Sequence, residues 1–184
     1  MRRFAPLLVC VVLAGCGGGD DDAAVRSTPA LPQSSAADDR VREALHLPGR
    51  VPLRAVGDAP EEDVAVVRGW LDELSRGEVQ KAARRFGLPA RFQNIASVAL
   101  IKTPEQALAV TDSLPCGARM TEAGGAAGFV IYEARLTDRP GGDCGQGVGG
   151  VVRGAVLVRD GHMIEWYRLP DVRHGQGTDA GPVV

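Results

Sequence analysis

The sequence predicts an α+β domain in which a curved antiparallel sheet wraps around helices, and three observations carry that reading. Val64, Val67, Leu71 and Leu74 recur at three- and four-residue steps, the spacing of one helical stripe. From Cys116 onward the apolar period shortens to two, as in half-buried strands. Asp160-Gly161 then separates two alternating runs, and this dipeptide is what a tight hairpin prefers.

The chain opens MRRFAPLLVCVVLAGC. Arg2 and Arg3 give a positive start, and Phe4 to Val12 an apolar run well short of the roughly 20 residues a membrane-spanning helix needs. Leu13-Ala14-Gly15-Cys16 resembles the lipobox of bacterial lipoproteins at all four positions; the alternative is a plain secretory signal that contains a cysteine. The resemblance implies removal of residues 1–15 and acylation of Cys16. The chain would then sit in the cell envelope, anchored by lipid to the outer face of a bacterial membrane. Each buried methylene contributes about 0.8 kcal/mol, so two or more acyl chains hold a protein stably. Cys10 falls in the removed piece and carries no function.

Residues 16–40 are rich in Gly, Asp, Ser, Pro and Ala without periodicity and read as a flexible tether. As a coil, its roughly 24 residues span about 25–30 Å. Asp20-Asp21-Asp22 reads as solvating charge rather than a calcium site. Residues 41–60 form a lead-in, with a short helical turn from Arg40 to His46 that Pro48-Gly49 break. What remains is one domain over residues 61–171, followed by a disordered tail at 172–184. The net charge is −2 and Arg greatly outnumbers Lys. Abundant Arg, Ala, Gly, Pro and Val match GC-rich coding, and no basic stripe carries interleaved aromatics, so no nucleic-acid partner is expected.

Within the domain, Glu61, Glu62 and Asp63 suit a helix N-terminus, and Arg76-Gly77 a C-terminus. A second helix is expected with Val79, Ala82, Ala83 and Phe86 on one face, ended by Gly87-Leu88-Pro89. Ile95 to Ile101 reads as a short strand. Thr103, Pro104 and Gln106 mark the start of a third helix, with a capping box and a proline at the first helical position. Ala107, Val110 and Leu114 give that helix its buried side. Ala118–Ala123 and Phe129–Leu136 read as strands joined around Gly124-Gly125. Val151–Arg159 and His162–Leu169 read as a second hairpin.

This order resembles the nuclear transport factor 2-like superfamily, which includes ketosteroid-isomerase-like and SnoaL-like domains. VVRGWLDELSRGEVQKAARRF is similar to its opening helix and the step into a second, FVIYEARLTD to its central strand, and VRDGHMIEWYRLPD to its closing hairpin. The likeness covers residues 61–171. It implies a cone with a pocket between the concave sheet face and the helices, and it leaves a homodimer through the outer sheet face open. SLPCGARM and RPGGDCGQG also resemble a group of bacterial secreted members with two cysteines in these places.

Cys116 begins one strand of the first hairpin and Cys144 lies just past its partner, so antiparallel pairing brings them together in an oxidising compartment. A disulfide there stabilises by roughly 3–4 kcal/mol; a catalytic thiol pair would need C-x-x-C spacing. Catalytic members of the superfamily place carboxylates or a His–Asp pair in the cone, and Asp72, Asp112, Glu133, Glu165 and His162 are the candidates by type. If Val130, Tyr132, Ala134 and Leu136 face the core, Glu133 and Arg135 face outward and pair on the surface. His162 adjoins a turn, and Glu165 faces inward only if Trp166 does not. No isomerase-type set matches residue by residue, so no catalytic residue is assigned. Gly145, Gly147 and Gly150 match G-x-G-x-x-G, but a loop precedes them and a strand follows, so no cofactor is expected. His46, His162 and His174 lack ligand spacing, and no metal is expected.

Trp70, Phe86, Phe92, Tyr132 and Trp166 are either core or the walls of a partly open apolar pocket. The residues favour a lipid-anchored domain that binds a small apolar ligand or an envelope partner over catalysis. The alternatives are an isomerase, dehydratase or hydrolase of the ketosteroid-isomerase type, and a structural dimerisation module.

Overall fold

The computed structural model describes residues 35–94 and 98–171. The expected leader, Cys16, most of the tether, Ile95 and the tail lie outside the described residues. Along the chain come α1 (Ala36–Ala44), α2 (Glu61–Ser75), α3 (Val79–Ala83), β1 (Phe86–Gln93), β2 (Ala99–Ile101), α4 (Pro104–Asp112), β3 (Gly117–Ala126), β4 (Phe129–Thr137), β5 (Val151–Arg159) and β6 (His162–Leu169). The strands form one curved sheet ordered β2-β1-β6-β5-β4-β3, and the fold is α+β.

Local chemistry accounts for most element ends. Helix α2 has no side-chain cap, but its first turn holds Glu61, Glu62 and Asp63 against the positive end of the helix dipole. It stops at Arg76 and Gly77, whose φ of 72° is open to glycine at little cost. The Thr103 hydroxyl accepts from the Gln106 N–H and caps α4. Gln106 reaches back one residue further than a capping box requires, accepting from the Lys102 N–H at 2.7 Å. Asp160 and Gly161, with φ of 50° and 73°, turn β5 into β6 as expected.

Three expectations are corrected. The sheet is mixed rather than antiparallel, because β1 runs parallel to β6. The second helix stops at Ala83, and Phe86 opens a strand instead of closing that helix. Pro89, which has no N–H, lies where the β1–β6 register breaks between Phe86 and Arg91, so the ladder loses little by holding it. The first hairpin turns at Ala127-Gly128, not Gly124-Gly125. Those two glycines lie inside β3, where the N-terminal segment crosses the sheet edge. A Cβ on Gly124 would meet the Ala55 methyl at 2.7 Å, and one on Gly125 would collide with the Asp58 carbonyl. The absent side chains let Gly57 pair with Gly125.

Both faces of the sheet are buried. The concave face carries Phe92, Val130, Tyr132, Ala134, Val156, Met163 and Trp166 against Val67, Trp70, Leu71 and Leu74 of α2. Val130, Tyr132 and Ala134 therefore face the helices, with Leu136 packed beside them, as the alternation predicts. The outer face carries Phe129, Ile131, Ala155, Tyr167 and Leu169 beneath Leu47, Val51 and Leu53. Helix α1 begins at Ala36, inside the stretch read as tether, and Ser35 caps it. A second copy pairing through the outer face would have to displace Leu47, Val51 and Leu53. The free edge of β3 is also guarded at both ends. The Ser75 hydroxyl donates to the Ala118 carbonyl and accepts its N–H, both at 2.9 Å, and Gly57 occupies Gly125.

Candidate functional site

The five aromatic candidates converge on the concave face. Phe92 and Trp166 stack at 4.7 Å between ring centroids, and Trp70 tilts against Trp166 at 5.8 Å. Phe86 meets both Trp70 and Phe92 edge-on at 6.3 Å. The Trp166 indole N–H donates to the Tyr132 hydroxyl at 3.0 Å. Trp70 is 1% exposed and Trp166 4%, so the rings enclose one another and fill the cone that the sequence left open as a pocket. Burial pushes the Tyr132 phenol up to about 12, so it is neutral at physiological pH. The Trp70 indole N–H is buried without a hydrogen-bond partner.

The ionisable candidates do not meet in this core. Asp72 lines a shallow notch with Ser75 and Arg119. Asp112 is exposed at the end of α4, 3.5 Å from Arg139. Glu133 lies on the outer face opposite Arg153, rather than pairing with Arg135, whose guanidinium donates to the Gly149 carbonyl. Glu165 is buried on the outer face, away from Trp166, under Arg50 and the Tyr167 hydroxyl. His162 is exposed beside the hairpin turn, with its Nδ1 2.8 Å from the Asp160 carbonyl oxygen.

Open space lies around the filled cone. An outer cleft of about 580 Å³ runs between the N-terminal segment and the sheet. Val41, Leu53 and Ile131 line it with Glu122, Glu133 and Arg153. A second hollow, about 330 Å³, opens between α3, α4 and the start of β1. Ala83, Phe86, Leu88, Ala107 and Leu108 make it an apolar groove, and Arg84 and Glu105 are its charged members. A third, about 320 Å³, holds Glu73, Lys81, Arg84, Arg85 and His162. Phe86 therefore serves both the aromatic cluster and the groove, and Arg84 belongs to both the groove and the basic notch. Of the other four aromatics, Tyr132 contributes to the outer cleft.

The basic notch was not legible in the sequence. Lys81, Arg84 and Arg85 lie far in sequence from His162, which adjoins the Asp160-Gly161 turn. The pairing of β1 with β6 brings the two stretches together, through the Met163 N–H donating to the Arg85 carbonyl at 2.8 Å. Cys116 and Cys144 are joined in a disulfide, as expected.

No protein-family model and no curated protein matches the chain. Solved structures similar to it include an LEH-like epoxide hydrolase of M. tuberculosis, at 17% identity and a TM-score of 0.45, over 61% of this chain and 86% of that one. An NTF2-like protein from Cytophaga hutchinsonii is similar at 10% identity and a TM-score of 0.47, over 59% and 89%. A protein with a ketosteroid isomerase-like fold from Catenulispora acidiphila is similar at 13% identity and 0.45, over 62% and 88%. Each is a likeness of fold alone.

Proposed function

We propose that this chain is an exported, lipid-anchored protein whose domain binds a small apolar molecule without transforming it. The observation that carries the binding reading is the apolar groove between α3, α4 and β1, floored by Phe86. Its volume of about 330 Å³ lies at the small end of the roughly 300–1,000 Å³ usual for ligand sites. An isomerase or hydrolase needs an acid–base pair facing its substrate, within reach of one reacting atom. Here Asp72, Asp112, Glu133 and Glu165 are dispersed away from His162, and Glu73, which shares the third hollow with His162, is tied to Arg85 through two hydrogen bonds, while the cone interior is aromatic. Envelope anchoring rests on Leu13-Ala14-Gly15-Cys16 after an apolar run too short to span.

Native mass spectrometry of the mature protein isolated from its own envelope tests the reading. The expected result is an apolar small molecule travelling with the wild type and lost from Gln80→Trp, which fills the groove from its exposed wall. Bare polypeptide that also takes up no added alkyl ester would count against binding. Fatty-acid labelling of the wild type but not of Cys16→Ser is expected alongside.

A further inference from the structure

Resting on the groove as the binding site, we propose that the ligand is a single-chain amphiphile with a carboxylate head, such as a fatty acid. Its tail would lie along Phe86, Leu88 and Leu108, and its head at the Arg84 guanidinium. The groove and the basic notch are separate hollows that share Arg84, so an apolar trough ends at a cationic wall.

The charge count selects the head group. Arg85 is held by Glu73 through two hydrogen bonds of 3.0 and 2.7 Å, and Lys81 by Glu78 at 2.9 Å. Arg84 is exposed, and its side chain has no ion-pair partner among the described residues. One unmatched guanidinium suits one carboxylate, which its fork can grip through two parallel hydrogen bonds. A doubly charged phosphate monoester would leave charge uncompensated.

The opposite wall fixes the direction. Glu105 stands in the first turn of α4, where hydrogen bonding from its own backbone N–H and then the Thr103 hydroxyl holds it below the usual carboxylate range. An anionic head is repelled from that side and drawn to α3. The volume, about 330 Å³, accommodates one alkyl chain rather than the two of a diacyl lipid.

Calorimetric titration of the full mature chain with dodecanoate, methyl dodecanoate and lysophosphatidylglycerol, each below its micellar concentration, tests the assignment. Dodecanoate is expected to bind one to one, about 10–100-fold more tightly than the ester, the range of a charge-assisted hydrogen-bonded pair. Arg84→Glu should reverse that difference, because a carboxylate then faces the carboxylate head and the ester becomes the tighter of the two. Gln80→Trp and Leu108→Trp should weaken both ligands, with unchanged circular dichroism showing that the variants fold. Equal binding of acid and ester, with Arg84→Glu silent, leaves the groove standing and overturns the carboxylate head. Tighter, Arg84-dependent binding of lysophosphatidylglycerol overturns it in favour of a phospholipid head. If neither ligand binds, or neither tryptophan variant has an effect, the groove reading falls as well.

Discussion

Arg50, in the segment that precedes α2, places its guanidinium against both carboxylate oxygens of Glu165 in β6, across 115 residues of sequence. Glu165 is 5% exposed and also accepts from the Tyr167 hydroxyl at 2.9 Å, with Arg91 at 3.5 Å. The same segment lies on the sheet through Leu47, Val51 and Leu53, and Gln93 donates to the Leu45 carbonyl at 2.8 Å. The pair thus clasps the N-terminal segment onto the outer face.

Removing Arg50 strands a buried carboxylate, and losing one partner of a fully buried pair costs about 3–5 kcal/mol. Arg50 is itself half exposed and Arg91 stands nearby, so Arg50→Ala is expected to cost less, about 1–2 kcal/mol. Urea unfolding measures it. A cost within a few tenths would show that the clasp contributes nothing.

The alkaline limit should be set by the chain's two tyrosines. Burial pushes both Tyr132 and Tyr167 up to about 12, and for Tyr167 the neighbouring Glu165 carboxylate adds to the effect. Unfolded tyrosine ionises near 10, so between about 10 and 12 the unfolded state has released protons that the native state keeps. Stability conferred by the neutral phenols is complete below about 10 and declines as pH rises through 12. With two protons involved, the decline approaches about 2.7 kcal/mol per pH unit. Tyrosinate absorbance at pH 11 without loss of fold would contradict this.

These elements show which signals a sequence carries. The ends of α2, the cap of α4 and the Asp160-Gly161 turn were legible because each depends on residues within one turn of the chain. β1 was not, since Phe86 continues the apolar spacing of Val79 and Ala83, and only pairing with the distant β6 on one side and β2 on the other makes the stretch a strand. Gly124-Gly125 resembled a turn because a glycine needed for close approach looks the same as one needed for positive φ. The five aromatics were found as a group, but whether they line space or fill it depends on how five rings from four elements interlock. Leu47, Val51 and Leu53 lie among prolines and an arginine with no period, so their role on the outer face was hidden.

The disulfide should be a fastening rather than a reactive centre. It closes 28 residues of separation, a ring whose loop entropy corresponds to about 3–4 kcal/mol. Arg139 holds the same loop, donating to the Leu114 and Asp112 carbonyls at 2.8 Å each from a side chain that is almost wholly buried. With that second tie in place, Cys144→Ser should lower stability by about 3 kcal/mol or less and leave alkyl-ligand affinity in the groove unchanged. Chemical denaturation and calorimetric titration of the same variant separate the two effects. Loss of ligand binding without loss of stability would assign the cysteines a part in function.

The two tryptophans offer an internal control on the filled cone. Both are buried in one cluster, but only the Trp166 N–H has a partner in the structure, the Tyr132 hydroxyl. Trp70→Phe deletes a donor that is unsatisfied, so its cost is the lost ring volume alone. Trp166→Phe deletes a similar volume and also leaves the Tyr132 hydroxyl buried without its donor, adding about 1–3 kcal/mol. Trp166→Phe should therefore be clearly the more destabilising in urea. Truncation of either to Ala should cost about 3–5 kcal/mol, as for a core aromatic. Equal costs for the two phenylalanine variants would mean the Trp166–Tyr132 hydrogen bond adds no stability. Alanine variants that cost under about 1 kcal/mol would mean the rings line open space rather than fill it.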